Sequence, residues 1–223
     1  MNFKRRIKSI TVFVILLILP SGVWAGEELT PEKIAGELQQ TYEQTRTITA
    51  DFRQKASVTG MPDRERTGRG KVKIKKPGLI RWDYEVPETQ VLVSDGEKFS
   101  LYQAEEKQMI VTSAEQYLGE DVIYSFFNGS GNLLEDFRIG RAPEEMRTSD
   151  THTLKLIPKE SHPQVEKLYL WCDRETYMIK RLRIIDPMGG FTDMKFSNIT
   201  VNQPVSEKVF SFTPPPDTEI IRN

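Results

Sequence analysis

Cysteine is almost missing: Cys172 is the single one in 223 residues. A lone thiol cannot close a bridge within the chain, so disulfides do not hold this fold. Cys172 also stands far from the start, where a lipid-modified first residue would have to be. With no activating neighbour in sequence, it is expected to be a small buried apolar residue. Histidine is scarce too, only His152 and His162, and neither has the cysteine company of a zinc site. His152 shares the phase of the Leu154 strand and reads as structural. No G-x-S-x-G elbow exists, because Gly129-Ser130-Gly131 reads as a helix stop, and no glycine loop could cradle a phosphate. Glu105-Glu106 and Glu144-Glu145 are sequence neighbours that point apart and read as solvated charge. Catalysis has no positive signal, and neither metal nor cofactor is called for.

Long apolar runs are absent as well. The longest, Ile10 to Leu19, is broken by Thr11 and falls well short of the roughly 20 residues a spanning helix needs. Lys4, Arg5, Arg6 and Lys8 precede it. Pro20 to Gly22 loosen the chain after it, and Val23-Trp24-Ala25 supply small residues at the minus-three and minus-one positions. This is the anatomy of a secretory signal peptide over residues 1–25, leaving one domain over 26–223. An excess of basic charge is missing too. The leader holds four basic residues and no acidic ones, so the remainder has 27 against 32, a net charge of −5. That balance excludes a nucleic-acid partner needing a basic surface. A soluble exported protein with a thin or one-sided core is expected.

What is present alternates. Thr30 caps a first helix, Pro31 suits its first position, and Leu29 can staple onto Ile34. Ile34, Leu38 and Tyr42 form one narrow stripe. From Ile48 the period becomes two: Ile48, Ala50, Phe52, Gln54, Ala56 and Val58 share a face. Lys71 to Lys75 repeats the pattern, Pro77-Gly78 turns the chain, and Ile80, Trp82 and Tyr84 follow on one side. The pair Asp95-Gly96 predicts a hairpin with Leu92 opposite Phe99, and Gln108 to Val111 adds a strand. Ser113 and Gln116 then read as a capping box for a greasy helix ending at Asn128-Gly129. Leu133 to Phe137 reads as a short helical turn. Strands return around Leu154 and Leu156, at Val165–Cys172, Tyr177–Ile185, Phe191–Val201 and Val209–Thr213. Mainly β with α is the expected class: one curved antiparallel sheet or barrel, helices over its concave side.

Asp51-Phe52-Arg53-Gln54-Lys55 resembles the F-x-Q strand of the periplasmic outer-membrane lipoprotein carrier family, the chaperone of the Lol pathway. The likeness continues through Gly68-x-Gly70, Lys75-Lys76-Pro77, Arg81-Trp82 and Leu92-Val93-Ser94-Asp95-Gly96. Gly190, Phe196, Asn198 and the ending Phe210-Ser211-Phe212-Thr213-Pro214-Pro215 complete it. The resemblance implies an incomplete antiparallel barrel closed by a helical lid around a hydrophobic cavity. It implies a non-enzymatic, monomeric periplasmic carrier of acylated lipoproteins. They would come from an inner-membrane ATP-driven transporter and go to an outer-membrane receptor. A module of the same fold for another lipid or glycolipid is the alternative, with a secreted enzyme third. On this reading Phe52, Val72, Ile74, Ile80, Trp82, Tyr84, Leu92, Phe99, Leu101, Leu154 and Leu156 line the cavity. Ile34, Leu38, Tyr42, Leu118, Val122, Phe126 and Phe127 belong to the lid. Lys76 stands where the family typically has an arginine that helps hold the lid shut, and a lysine offers a point charge instead of a rigid fork. The hollow is expected to stay vacant until cargo arrives.

Overall fold

A computed structural model of the protein describes residues 29–58, 61–118, 127 and 131–222, with the backbone alone at 58, 61–63 and 118. Along the chain run α1 (Pro31–Gln44), β1 (Thr47–Val58), β2 (Met61–Lys75), β3 (Leu79–Val86), β4 (Gln90–Asp95), β5 (Lys98–Gln103) and β6 (Gln108–Ser113). Then come α2 (Ala114–Leu118), α3 (Leu133–Asp136), β7 (Phe137–Arg141), β8 (Thr151–Pro158), β9 (Lys167–Asp173), β10 (Ile179–Ile185), β11 (Phe191–Val201) and β12 (Glu219–Arg222). The strands form one sheet in the order β12-β6-β5-β4-β3-β2-β1-β11-β10-β9-β8-β7. β12 pairs parallel with β6. The end strands β12 and β7 do not pair, so the barrel stays unclosed. Among the described residues, no helix is long and apolar enough to cross a membrane.

Alternation decides which face is buried. On β1, Ile48, Ala50 and Phe52 are buried while Arg53 and Lys55 are exposed. Val72, Ile74, Ile80, Leu154, Leu156, Leu170 and Leu182 join them in one concave core. α1 supplies its cover. The Thr30 hydroxyl accepts the Lys33 N–H at 3.2 Å and Pro31 opens the first turn. The helix then lies along α3, β7 and β8, burying Ile34, Ala35, Leu38 and Tyr42.

Two expectations are corrected. The β4–β5 hairpin turns at Gly96-Glu97, with Gly96 at φ 94°, while Asp95 Oδ1 accepts the N–H groups of Glu97 and Lys98. Leu92 therefore faces Leu101, and Phe99 faces Ser94. The slip is two residues, so every side chain keeps its face. Ser113 ends β6 directly before α2, which starts at Ala114, so it stands at the position expected of a cap. Finally, Val209–Thr213 is not a strand. A 3-10 turn at Glu207–Phe210 tucks Phe210 against Val91, Val93, Tyr102 and Met109 on the convex side. β4 to β6 carry apolar residues on both faces, so a one-sided core would leave those four exposed, and the C-terminal tail covers them. β7 and β12, both short, were not foreseen.

Candidate functional site

The concave face is built around Phe52, nearly fully buried on β1. Trp82 and Tyr84 meet its ring edge-on at 4.9 and 4.7 Å between centroids. They reach it across β2, where Gly70 pairs with Phe52 on one side and with Tyr84 on the other. A Cβ on Gly70 would stand 1.8 Å from the Asp83 carbonyl oxygen, and one on Gly68 would stand 3.2 Å from the Tyr84 ring. The two glycines thus clear a strip of backbone for the aromatic cluster. Tyr84 donates its hydroxyl to Gln54 Oε1 at 2.6 Å. Burial, with help from Tyr117, pushes that hydroxyl up to about 12, so it stays a neutral donor. The F-x-Q and G-x-G motifs therefore have one joint purpose, an aromatic floor with a single polar pair.

A narrow slot in the interior is lined by Val72, Ile74 and Trp82 from the expected cavity, and by Tyr42 and Phe127 from the expected lid. Its open volume is about 10 Å³, roughly what one water needs. The hollow expected to be vacant is closed around the protein's own side chains. Phe127 forms part of its wall, edge-on to Tyr42 at 5.6 Å and 6.0 Å from Phe196.

The other expected residues are sorted by the fold. Phe52, Ile80, Leu154 and Leu156 are buried in the same core, with Tyr84 packed against it, but none of these lines the slot. Leu92, Phe99 and Leu101 form a smaller cluster with Ala114, where Tyr117 stacks flat on Phe99 at 3.7 Å. Ile34 and Leu38 are buried in α1. Val122, Phe126 and the Leu118 side chain lie outside the described residues.

Sequence reasoning missed six lining residues: Ile48, Ala50, Met178, Ile179, Phe196 and Ile199. The first two were findable, since they alternate in phase with Phe52. As a pair Phe196 and Ile199 were not, because they stand three positions apart. The register of β1 on β11 shifts between Thr49 and Asp51, Asn198 sits at φ 51°, and its amide donates to Asp51 Oδ2 at 2.7 Å. That bulge turns Ile199 to the same side as Phe196, which stands directly opposite Phe52.

Tyr42 is held by groups from two distant strands. Its hydroxyl accepts the Ile179 N–H at 3.2 Å, where the register of β10 slips against β9. Its carbonyl, in the last turn of α1, accepts a hydrogen bond from Lys76 Nζ. Burial drives the Tyr42 hydroxyl well above its ordinary value, the Ile179 N–H acting in the opposite sense. Burial likewise holds the Lys76 ammonium below the usual lysine range, against the pull of Glu43. Tyr42→Phe leaves the Ile179 N–H without its acceptor, and a buried unmet donor costs about 1–3 kcal/mol. Thermal unfolding should therefore begin about 4 °C lower. An unchanged midpoint would mean that the hydroxyl is dispensable.

Cys172 is fully buried, with its thiol pushed up to about 12 by desolvation, so it is inert at neutral pH. Among the described residues, no group of three or more His, Cys, Asp or Glu could hold a metal ion.

A family model described as outer membrane lipoprotein carrier protein LolA matches residues 43–213. The outer-membrane lipoprotein carrier protein of Dechloromonas aromatica (strain RCB) is 26% identical over 224 residues, spanning 99% of this chain and 98% of that protein. Its counterpart in Legionella pneumophila (strain Lens) is 26% identical over 212 residues, 95% of this chain and 98% of that one. Among solved structures, an uncharacterized conserved protein from Thermus thermophilus aligns with a TM-score of 0.54 at 13% identity, covering 86% of this chain and 98% of that chain. That likeness establishes the fold alone.

Proposed function

Because this chain belongs to the outer-membrane lipoprotein carrier family, we propose that it shields the acyl chains of lipoproteins in the periplasm. It takes them from an inner-membrane ATP-driven transporter and passes them to an outer-membrane receptor. The family is one of carriers, not of enzymes. The observation that carries the reading is the apolar concave interior, whose narrow slot is walled by Tyr42 and Phe127 together with strand residues. A three-chain anchor of some 40 methylenes, at about 0.8 kcal/mol each, would lose on the order of 30 kcal/mol of shielding in water. Such a cargo needs a container, and an empty greasy container would itself be unstable in water. Closing on its own aromatic side chains solves both problems, provided that they can move aside.

Lys76 acts as the latch on this movement, because its bond to the Tyr42 carbonyl ties β2 to α1. The test is reconstitution. The purified protein is mixed with a triacylated lipopeptide bearing an environment-sensitive fluorophore and separated by gel filtration. A one-to-one aqueous complex supports the reading, and a non-acylated peptide must not form one. Lys76→Ala should load about fivefold faster, and Lys76→Arg more slowly than Lys76→Ala. Lipopeptide left in micelles by well-folded protein would overturn carriage. Capture of free glycolipid in its place would move the function to the alternative lipid module.

A further inference from the structure

The outer face of β10, β11, β1 and β2 carries charges in rows that run across the strands. In one row, Arg183, Asp193, Lys55 and Thr67 are lateral neighbours. In the next but one on β1, Ser197, Asp51 and Lys71 are neighbours. The cations of both rows have counter-charges: Arg183 binds Asp193 at 2.7 Å, Lys71 binds Asp51 at 2.9 Å, and Lys55 binds Glu65, outside the row, at 2.7 Å. Between them lies a row with no acid at all, Arg181, Lys195, Arg53 and Arg69, each directly opposite the next.

Arg53, Arg69 and Lys195 are exposed and make no ion pair among the described residues. Arg181 does bind Asp193, at 2.5 Å, but that one carboxylate is shared with Arg183, so their cluster keeps a surplus positive charge. Asp193 is buried, which works against its charge, yet the hydrogen bonds and charges of the two arginines hold it below the usual carboxylate range. It is fully engaged and has nothing left for the row. Like charges directly opposite each other on a sheet are destabilising. A chain whose mature part is acidic overall thus keeps four cations facing one another where they weaken the fold.

We propose that this row is a docking surface for an acidic helix of a partner protein. Neighbouring strands lie about 4.8 Å apart, so the four charges span about 14 Å. Carboxylates three and four residues apart on a helix are about 5–6 Å apart. A helix laid across the strands therefore sets one carboxylate over each cation. An anionic bilayer fits less well, because a convex sheet meets a plane along a line and the rest of the chain is negatively charged. The proposal goes beyond acyl-chain binding and does not depend on it.

The experiment uses the purified protein and a helical peptide with Glu at every third or fourth position, its Gln counterpart, and phosphatidylcholine vesicles containing phosphatidylglycerol. The Glu peptide should bind and the Gln peptide should not, with affinity falling about tenfold between about 50 and 300 mM salt. The double variant R53E/K195E should bind the Glu peptide at least about tenfold more weakly. It should also melt about 2 °C higher, because the contacts of position 195 with Arg181 and of position 53 with Arg69 become opposite-charge ones, two against the single acid–acid contact between 53 and 195. Its affinity for a fluorescent acyl probe should be unchanged, which separates this proposal from carriage itself. Undiminished peptide binding by the double variant overturns the docking surface. Row-dependent binding to the vesicles alone overturns the choice of partner, and a lower melting point makes the row structural.

Discussion

Phe127→Ala is expected to bind an acyl-chain probe about 10- to 100-fold more tightly than the unaltered protein. The usual effect of removing an aromatic ring from a binding interior is weaker binding. Here the ring is part of the wall that leaves the slot almost no free volume, buried against Tyr42 and Phe196, and on the proposed function an acyl chain enters only when it moves aside. Apparent affinity equals intrinsic affinity scaled by the fraction of molecules that are binding-competent. Truncating a buried phenylalanine costs about 3–5 kcal/mol in a packed core. If about half of that falls on the closed form relative to the open one, the competent fraction rises by the stated factor. A fluorescence titration reads the affinity and a denaturant melt reads the matching loss of stability. Weaker binding by a folded variant would show that the ring holds cargo instead of closing the slot to it. The gain should appear in the association rate, which scales with the open fraction of free protein, while release from the open complex stays about the same.

That the slot is nearly closed could not be read from the residues, whereas most of its lining could. Strict alternation through Ile48, Ala50 and Phe52, and again through Ile80, Trp82 and Tyr84, places these side chains on one face wherever the strand has no bulge. It failed where the backbone departs from the ladder: at Asn198, which turns Ile199 inward, and at the slip beside Ile179. Neither event has an alternating signature. The Leu92 hairpin shows the tolerance of such reasoning, because a two-residue error in register left Leu92, Phe99 and Leu101 on the expected face. The tail was misread for the opposite reason. Val209 to Thr213 has a strand's composition, but its partners are the convex side chains of β4 to β6, and a short window cannot reveal that those strands are apolar on both sides. Lys76 is a third kind of case. Its position before Pro77 was legible, but its grip on the Tyr42 carbonyl depends on a helix that ends more than thirty residues earlier.

The same substitution at two glycines should move stability in opposite directions. Gly36 lies in the middle of α1, and a Cβ there would meet nothing within 4 Å. Its cost is therefore the backbone freedom that glycine loses in a helix, and Gly36→Ala should stabilise by about 0.5–1 kcal/mol, raising the melting point by about 2 °C. Gly70 lies in β2 between Phe52 and Tyr84, and its missing Cβ is the space through which the Asp83 carbonyl approaches to a would-be 1.8 Å. No rotamer can relieve that contact, because both partners are backbone. β3 would have to move away from β2, separating Trp82 and Tyr84 from Phe52 and breaking the floor of the site. Gly70→Ala should lower stability by about 3 kcal/mol or more and the melting point by about 10 °C. Tyr84 should then lose its hold on Gln54, and probe binding should weaken as the floor opens. Equal melting points for the two variants would mean that the close β2–β3 approach is not what Gly70 is there to permit.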